Sequence, residues 1–171
     1  NKFIDTKGMS IASGYLNYLS DLNKSLPSLS KENYYKIGKD LANTEGDLVE
    51  KNSLYELLLY KPKTKVVHKT PILIIPPWIN KYYILDLDKT TSFIKYLVEN
   101  GFVVFTMSWK NPDHKDRNRE FSNYVDSIGS AIKEVNKITN TSSVHPIGYC
   151  VGGTALSMYL SQKKQDIKSA T

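Results

Sequence analysis

Cys150 is the only cysteine in the chain, and its neighbours have the types and spacing of a nucleophile site. Gly148 stands two residues before it, Gly152 two after, and Gly153 follows. A short β-rich run, Val144 to Ile147, leads in, and a helix-like run, Thr154-Ala-Leu-Ser-Met-Tyr-Leu-Ser161, leads out. Strand, tight turn and helix with a nucleophile at the turn make a nucleophile elbow, Gly-x-nucleophile-x-Gly, with cysteine where serine is commoner. So sharp a turn forces the nucleophile into a strained backbone conformation and lifts its side chain above the sheet. The flanking glycines remove Cβ atoms that would collide there. The helix after Cys150 aims its N-terminal amides and positive dipole end at the sulfur, an arrangement that favours the reactive thiolate. It also leaves the Val151 N–H as one oxyanion donor. The opposing reading is a small buried cysteine among chance glycines. The strand and helix on either side favour the nucleophile.

An elbow of this kind needs a sheet beneath it, and the chain supplies the pieces. Ile72 to Ile75 is a continuous apolar run ending at Pro76-Pro77, the pattern of a central strand buried on both faces. A helix pattern over Lys89 to Asn100 closes at Gly101. Phe102 to Met107 is a second buried strand. Phe121 to Ile138 carries apolar residues at helical spacing, and Val144 to Ile147 is the third strand. Ile167 to Thr171 could open one more, beside the strand that ends at Cys150. Upstream, Ser10 to Leu22 reads as an amphipathic helix through Ile11, Tyr15, Leu16, Leu19 and Leu22. Ser25 to Ser30, with Pro27, breaks it, and Tyr34 to Gly46 is ambiguous. Asp47 to Lys51 and Leu54 to Tyr60 are β-type runs joined by an Asn52-Ser53 turn. Alternation of strand and helix after this hairpin predicts an α/β fold with a mostly parallel sheet and flanking helices.

Chemistry in such a sheet sits beyond the carboxyl ends of its strands. Pro76-Pro-Trp-Ile-Asn80 follows the first central strand. The prolines have no N–H, so Trp78 or Ile79 is the candidate for the second oxyanion amide. Two prolines also simply stop a strand, and both readings stand. A thiol nucleophile further needs a base and an orienting acid. His145 lies on the nucleophile's own strand, about 16 Å before it at about 3.3 Å per residue, toward the wrong end. His68 precedes the first central strand and shares that fault. His114, after the second central strand, is at the right end but on a solvated loop. Beyond Cys150 there is no histidine and one carboxylate, Asp166.

Composition narrows the function further. Net charge is +6 with 40% hydrophobic and 23% charged residues, ordinary for a globular protein. The basic residues are nearly all scattered lysines, with Arg117 and Arg119 the two arginines, which argues against nucleic-acid binding. No secretory leader or bilayer-spanning run stands out, and Pro71 to Ile79 is far too short to span. A single cysteine rules out an internal disulfide framework and suits a reducing compartment.

At this point the sequence resembles the polyhydroxyalkanoate (poly-3-hydroxybutyrate) synthases. The resemblance rests on Thr70-Pro-Ile-Leu-Ile-Ile-Pro-Pro-Trp-Ile-Asn-Lys-Tyr-Tyr-Ile-Leu-Asp-Leu87, on Val104-Phe-Thr-Met-Ser-Trp-Lys-Asn-Pro-Asp113 and on Ile147-Gly-Tyr-Cys-Val-Gly-Gly-Thr154. Leu41-Ala-Asn-Thr-Glu-Gly46 and Leu57 to Pro62 also look like the segment preceding the family's catalytic domain. It implies an incomplete α/β-hydrolase-like fold, with residues 1–46 as the family's N-terminal helical region and 47–171 as the first part of the catalytic domain. It implies a cytoplasmic, granule-associated acyltransferase that polymerises (R)-3-hydroxyacyl-CoA and releases CoA through a cysteine thioester, with no cofactor beyond that substrate and no metal. Carried over by position, Cys150 is the nucleophile and Val151 an oxyanion donor. The family's Asp and His lie downstream of this sequence, so a further fragment or a homodimer partner would supply them. A chain lacking them is expected to be poorly stable or inactive by itself. The alternatives are a non-catalytic remnant or granule-binding module of the same fold and, less favoured, another cysteine-dependent acyl-hydrolase such as a thioesterase.

Overall fold

The structure, a computed structural model, describes residues 2–22, 35–162 and 166–171. It divides into two units, Asn1–Lys36 and Ile37–Thr171. In the first, α1 (Lys2–Asp5) and α2 (Met9–Leu22) meet at a turn where Lys7 and Gly8 have φ of 48° and 82°. Thr6 Oγ1 accepts from the Ser10 amide at 3.1 Å in the first turn of α2. The expected helix is thus present, yet none of its residues is buried. The expected break at Ser25 to Ser30 lies outside the described residues, as does Tyr34.

The second unit is built on a sheet of five strands, β1 (Asp47–Lys51), β2 (Tyr55–Tyr60), β3 (Ile72–Ile75), β4 (Val104–Trp109) and β5 (His145–Gly148). Their spatial order is β1-β2-β4-β3-β5. β2 pairs antiparallel with both β1 and β4, and β4, β3 and β5 run parallel. In the β1–β2 hairpin, Asn52 Oδ1 accepts from the amides of Leu54 and Tyr55 at 2.8 and 2.9 Å, an Asx turn where the sequence places one. The crossovers are α3 (Phe93–Glu99) and α4 (Phe121–Thr139), and α5 (Val151–Ser161) follows β5.

Successive side chains of a strand point to opposite faces. Leu73, Ile75, Phe105 and Met107 therefore pack on one face with Val125, Ile128 and Ile132 of α4 and Leu156 of α5. Ile72, Ile74 and Val104 pack on the other with Ile94, Leu97 and Val98 of α3. Burial on both faces is the physical reason that β3 reads as an unbroken apolar run. Gly129 lets α4 and α5 close up, since a Cβ there would lie 2.9 Å from the Tyr159 ring.

Two elements start later than expected. The sequence predicts a helix from Lys89, but the Asp88 carboxylate accepts from the amides of Thr90 and Thr91 at 2.6 and 2.8 Å and folds those residues into a turn. Ser92 then caps the helix by accepting from the Lys95 amide at 2.9 Å. Phe102 is expected in β4, but its amide bonds the Leu97 carbonyl at 3.1 Å, so it belongs to the end of α3. The strand expected over Ile167 to Thr171 is not formed as a sixth member of the sheet, although the segment lies where that strand would start. Residues 166–171 run beside β5, with a parallel bridge between Val144 and Ile167 and with Gly148 donating to the Thr171 carbonyl at 2.8 Å. Among the described residues no helix is long and apolar enough to cross a membrane.

One core position carries a stability prediction. Thr106 on β4 is fully buried, and among the described residues its hydroxyl is the buried side-chain group without a hydrogen-bond partner. Thr106→Val replaces that hydroxyl by a methyl of the same shape, so the unfolding free energy should rise by about 1 kcal/mol. Urea titration measures it, and a loss of stability would mean that the hydroxyl has a partner.

Candidate active site

Strand β5 ends at Gly148 and α5 begins at Val151, leaving two residues to reverse the chain. The Gly152 amide donates to the Tyr149 carbonyl at 3.0 Å, which closes a four-residue turn with Cys150 second. Cys150 has φ 56° and ψ −125°, the backbone that position requires in a type II′ turn, where glycine is the usual occupant. A side chain here is strained, and the strain holds an exposed thiol at the tip of the turn. The flanking glycines serve a different end. A Cβ on Gly148 would lie 2.5 Å from Gly153 Cα, and one on Gly152 would lie 2.0 Å from the Ile75 carbonyl oxygen. They admit close backbone approach, and a Cβ on Gly153 would meet the Gly148 oxygen at 3.0 Å.

The same contacts place the candidate oxyanion loop. Ile75 pairs in parallel with Gly148, so β3 and β5 end at one edge of the sheet. The Tyr149 amide donates to the Ile75 carbonyl at 3.1 Å, and the Pro76 carbonyl carbon lies 3.0 Å from the Cβ position of Gly152. Val151, as the first helical residue, has no acceptor for its N–H within its own helix. Trp78 is half-buried, its ring 4.9 Å from Tyr124 and 5.6 Å from Phe121, while Ile79 is exposed. The Pro76–Ile79 loop and the elbow are thus brought to one edge. Beside the loop, and lined by no residue of the elbow, is a cleft of about 290 Å³ bounded by Trp78, Ile79, Tyr82, Tyr83, Trp109 and Asn111, among others.

Trp109 is a residue that sequence reasoning missed. Its indole N–H donates to the Pro76 carbonyl at 2.7 Å. The signal was a tryptophan at the end of a buried strand, whose N–H must find an acceptor.

Among the described residues no general base joins the elbow. His145 opens β5 opposite Ile72, at the far end from Gly148, and its Nδ1 lies 2.7 Å from Ser169 Oγ. His68 stacks on Phe102 with centroids 4.1 Å apart, before β3. His114 is exposed in the loop after β4. Asp166 accepts from the Tyr159 hydroxyl at 3.1 Å, and its backbone oxygen from the Val144 amide, again at the far end. Among the described residues no three His, Cys, Asp or Glu side chains gather as a metal site would need.

The loop carrying His114 is pinned by Asp116. This buried carboxylate accepts from the Asp113 amide at 2.9 Å, Arg119 Nε at 2.5 Å and Lys110 Nζ at 3.0 Å. These bonds, the backbone one first, hold its carboxyl well below the ordinary 3.8. Arg119 in turn donates to the Ser53 carbonyl at 3.3 Å, tying the loop to the β1–β2 hairpin. A carboxyl depressed on folding contributes stability that is complete above its ordinary value and lost as pH falls toward the depressed one. The stability gap between the protein and its Asp116→Asn variant should therefore hold steady down to about pH 5 and shrink below about pH 4. Urea titrations across that range decide it, and a gap independent of pH would remove the role of the charge.

An α/β sheet with a strained turn at a cysteine between a parallel strand and a helix has the fold of the α/β-hydrolase class. Solved structures agree on the fold. An epoxide hydrolase from Vigna radiata matches 74% of this chain and 36% of its own, at TM-score 0.55 and 14% identity. A structure described as a lipase, from Acinetobacter baumannii, matches 84% and 47%, at TM-score 0.57 and 12% identity. Within that class, residues 1–97 match the family described as poly-beta-hydroxybutyrate polymerase (PhaC) N-terminus, and the chain belongs to that family. A poly(3-hydroxyalkanoate) polymerase of Methylorubrum extorquens is 44% identical over 80% of this chain and 24% of its own length. Poly(3-hydroxyalkanoate) polymerase subunit PhaC of Cupriavidus necator is 38% identical over 92% and 27%. Poly(3-hydroxyalkanoate) polymerase 2 of Ectopseudomonas oleovorans is 37% identical over 99% and 32%. The chain thus spans 24% to 32% of the length of these relatives.

Proposed function

We propose that this chain carries the nucleophile half of a poly(3-hydroxyalkanoate) polymerase site. The observation that supports this best is the strained turn at Cys150, φ 56°, set against the end of β3 in a chain of this family. In this reading residues 1–46 are the family's N-terminal region and 47–171 open its catalytic domain.

The chemistry follows from the groups at the edge. The Cys150 thiolate attacks the carbonyl carbon of an (R)-3-hydroxyacyl-CoA, and the carbonyl oxygen takes the negative charge. The Val151 N–H and an amide of Trp78 or Ile79 stabilise that oxyanion, because fixed donors need no reorganisation as charge develops. Collapse breaks the bond to the CoA sulfur, which leaves and takes a proton, and the acyl group stays on Cys150 as a thioester. The hydroxyl of another 3-hydroxyacyl unit then attacks the Cys150 thioester carbonyl, losing its proton to a base. The C–O ester bond forms as the bond to the Cys150 sulfur breaks, the thiolate is freed, and the polyester grows by one unit. That base, and the acid that orients it, come from a further polypeptide segment or a partner copy. In this reading the complex works in the cytoplasm, associated with the granule of polyester that it makes.

The test is incubation with (R)-3-hydroxybutyryl-CoA, with free thiol and peptide mass followed together. An acyl adduct on the peptide holding Cys150, equal to the CoA released, is expected. CoA release with the adduct elsewhere, or no adduct beside any added partner, would overturn the assignment.

A further inference from the structure

We propose that Trp109 is the positioning residue for the oxyanion loop, acting through its indole N–H on the Pro76 carbonyl. The proposal rests on the acyl-transfer reading of Cys150.

The loop has a structural problem that Trp109 solves. Pro76 and Pro77 have no N–H, so this stretch cannot tie itself down with its own donors. Both residues are buried, and a buried carbonyl requires a donor. The indole N–H, a donor with no competing acceptor role, supplies it at 2.7 Å. Trp109 is itself fixed. It is the last residue of β4, paired with Tyr55 across the sheet. The rings of Tyr55, Trp78 and Tyr124 surround it with centroids 6.1, 6.0 and 5.4 Å away.

Pro76 is held from the other side by the elbow, where its carbonyl carbon lies 3.0 Å from the Cβ position of Gly152. The indole hydrogen bond therefore anchors the loop at the point where it passes the turn that carries Cys150. The same indole packs edge-on, at 85°, against the ring of Trp78, two residues further along. Trp109 thus fixes both the start of the loop and the residue whose amide is a candidate donor. An oxyanion donor works only within about 2.7–3.1 Å of the oxygen, so a loop that drifts loses its effect.

The discriminating variant replaces Trp109 with β-(3-benzothienyl)alanine, which keeps the ring shape and puts sulfur in place of the N–H. Trp109→Phe is the simpler companion. Three quantities are measured: acylation of Cys150 by (R)-3-hydroxybutyryl-CoA in a single turnover, alkylation of Cys150 by iodoacetamide, and hydrogen exchange at individual amides. Acylation should slow about 10–100-fold at unchanged half-saturation, since donors are displaced and not removed. Alkylation, which develops no oxyanion, should stay within about twofold. Exchange at Tyr149, whose amide bonds the Ile75 carbonyl at the start of the loop, should rise about tenfold or more while Leu73 and Phe105 keep their protection. Unchanged acylation and unchanged exchange in the benzothienyl variant would overturn the proposal. So would a parallel loss of alkylation and of core protection, which would make Trp109 a general packing residue. If the unsubstituted protein accepts no acyl group, the acyl-transfer reading fails, and exchange at Tyr149 alone decides whether Trp109 holds the loop.

Discussion

Cys150→Ala should take up no acyl group from (R)-3-hydroxybutyryl-CoA, and Cys150→Ser should retain at most a trace. Removing a nucleophile that forms a covalent intermediate removes about 10⁴–10⁶-fold of rate, because positioning and oxyanion donors alone cannot replace bond formation. Serine keeps the shape, but its hydroxyl ionises far less readily than a thiol and would need a base that the described residues do not place at the elbow. The backbone adds a second expectation of opposite sign. Cys150 sits at φ 56° and ψ −125°, where glycine pays no steric penalty. Cys150→Gly should therefore be as inactive as the alanine variant yet raise the unfolding free energy by about 1 kcal/mol, the low end of what such strain costs. Intact-mass measurement reads the first effect and urea titration the second. Acyl uptake by the alanine variant would end the nucleophile assignment. A glycine variant less stable than the parent would show that the turn is not strained, leaving the chemistry untouched.

The elbow was legible because its demands are local. A turn that brings Gly148 against Gly153 and Gly152 against Ile75 admits no side chain at those places, so the sequence displays glycine where the contact occurs. The apolar run at β3 was legible for a related reason, since both faces are covered. What escaped depends on groups far apart in sequence or on side-chain competition with the backbone. Trp109 meets the Pro76 carbonyl 33 positions away, and nothing near either residue announces it. Asp86, fully buried, accepts from the Thr44 hydroxyl at 2.8 Å and amide at 3.0 Å, which docks the ambiguous stretch before β1. The start of α3 was misplaced because helical periodicity is blind to a carboxylate, Asp88, that captures the next amides first. The α2 stripe was read correctly as helix but not as exposed, because periodicity reports a face and not what covers it.

Gly152→Ala should be the most destabilising single methyl that the elbow region can receive. The added Cβ would stand 2.0 Å from the Ile75 carbonyl oxygen and within 3.0 Å of two further backbone carbons. Every atom it meets is backbone, so no rotamer change relieves the clash, and α5 must move off β3. That movement would stretch the Tyr149–Ile75 hydrogen bond, 3.1 Å in the structure, and carry Cys150 away from the Pro76–Ile79 loop. A loss of about 3 kcal/mol or more is expected, at or above the upper end of ordinary overpacking because no side chain can yield. Net stability of a domain is about 5–15 kcal/mol, so the variant should also accumulate poorly. The neighbouring glycines supply a graded control. Gly148→Ala, at 2.5 Å from Gly153 Cα, should cost somewhat less, and Gly153→Ala, at 3.0 Å from the Gly148 oxygen, less again. Gly14→Ala meets nothing within 4 Å in α2 and should stabilise that helix by up to about 1 kcal/mol. Urea titration of the four variants gives the order directly. A Gly152→Ala protein within about 1 kcal/mol of its parent would mean that α5 has slack against β3, and a strained turn backed by a loose helix could not hold a nucleophile in place.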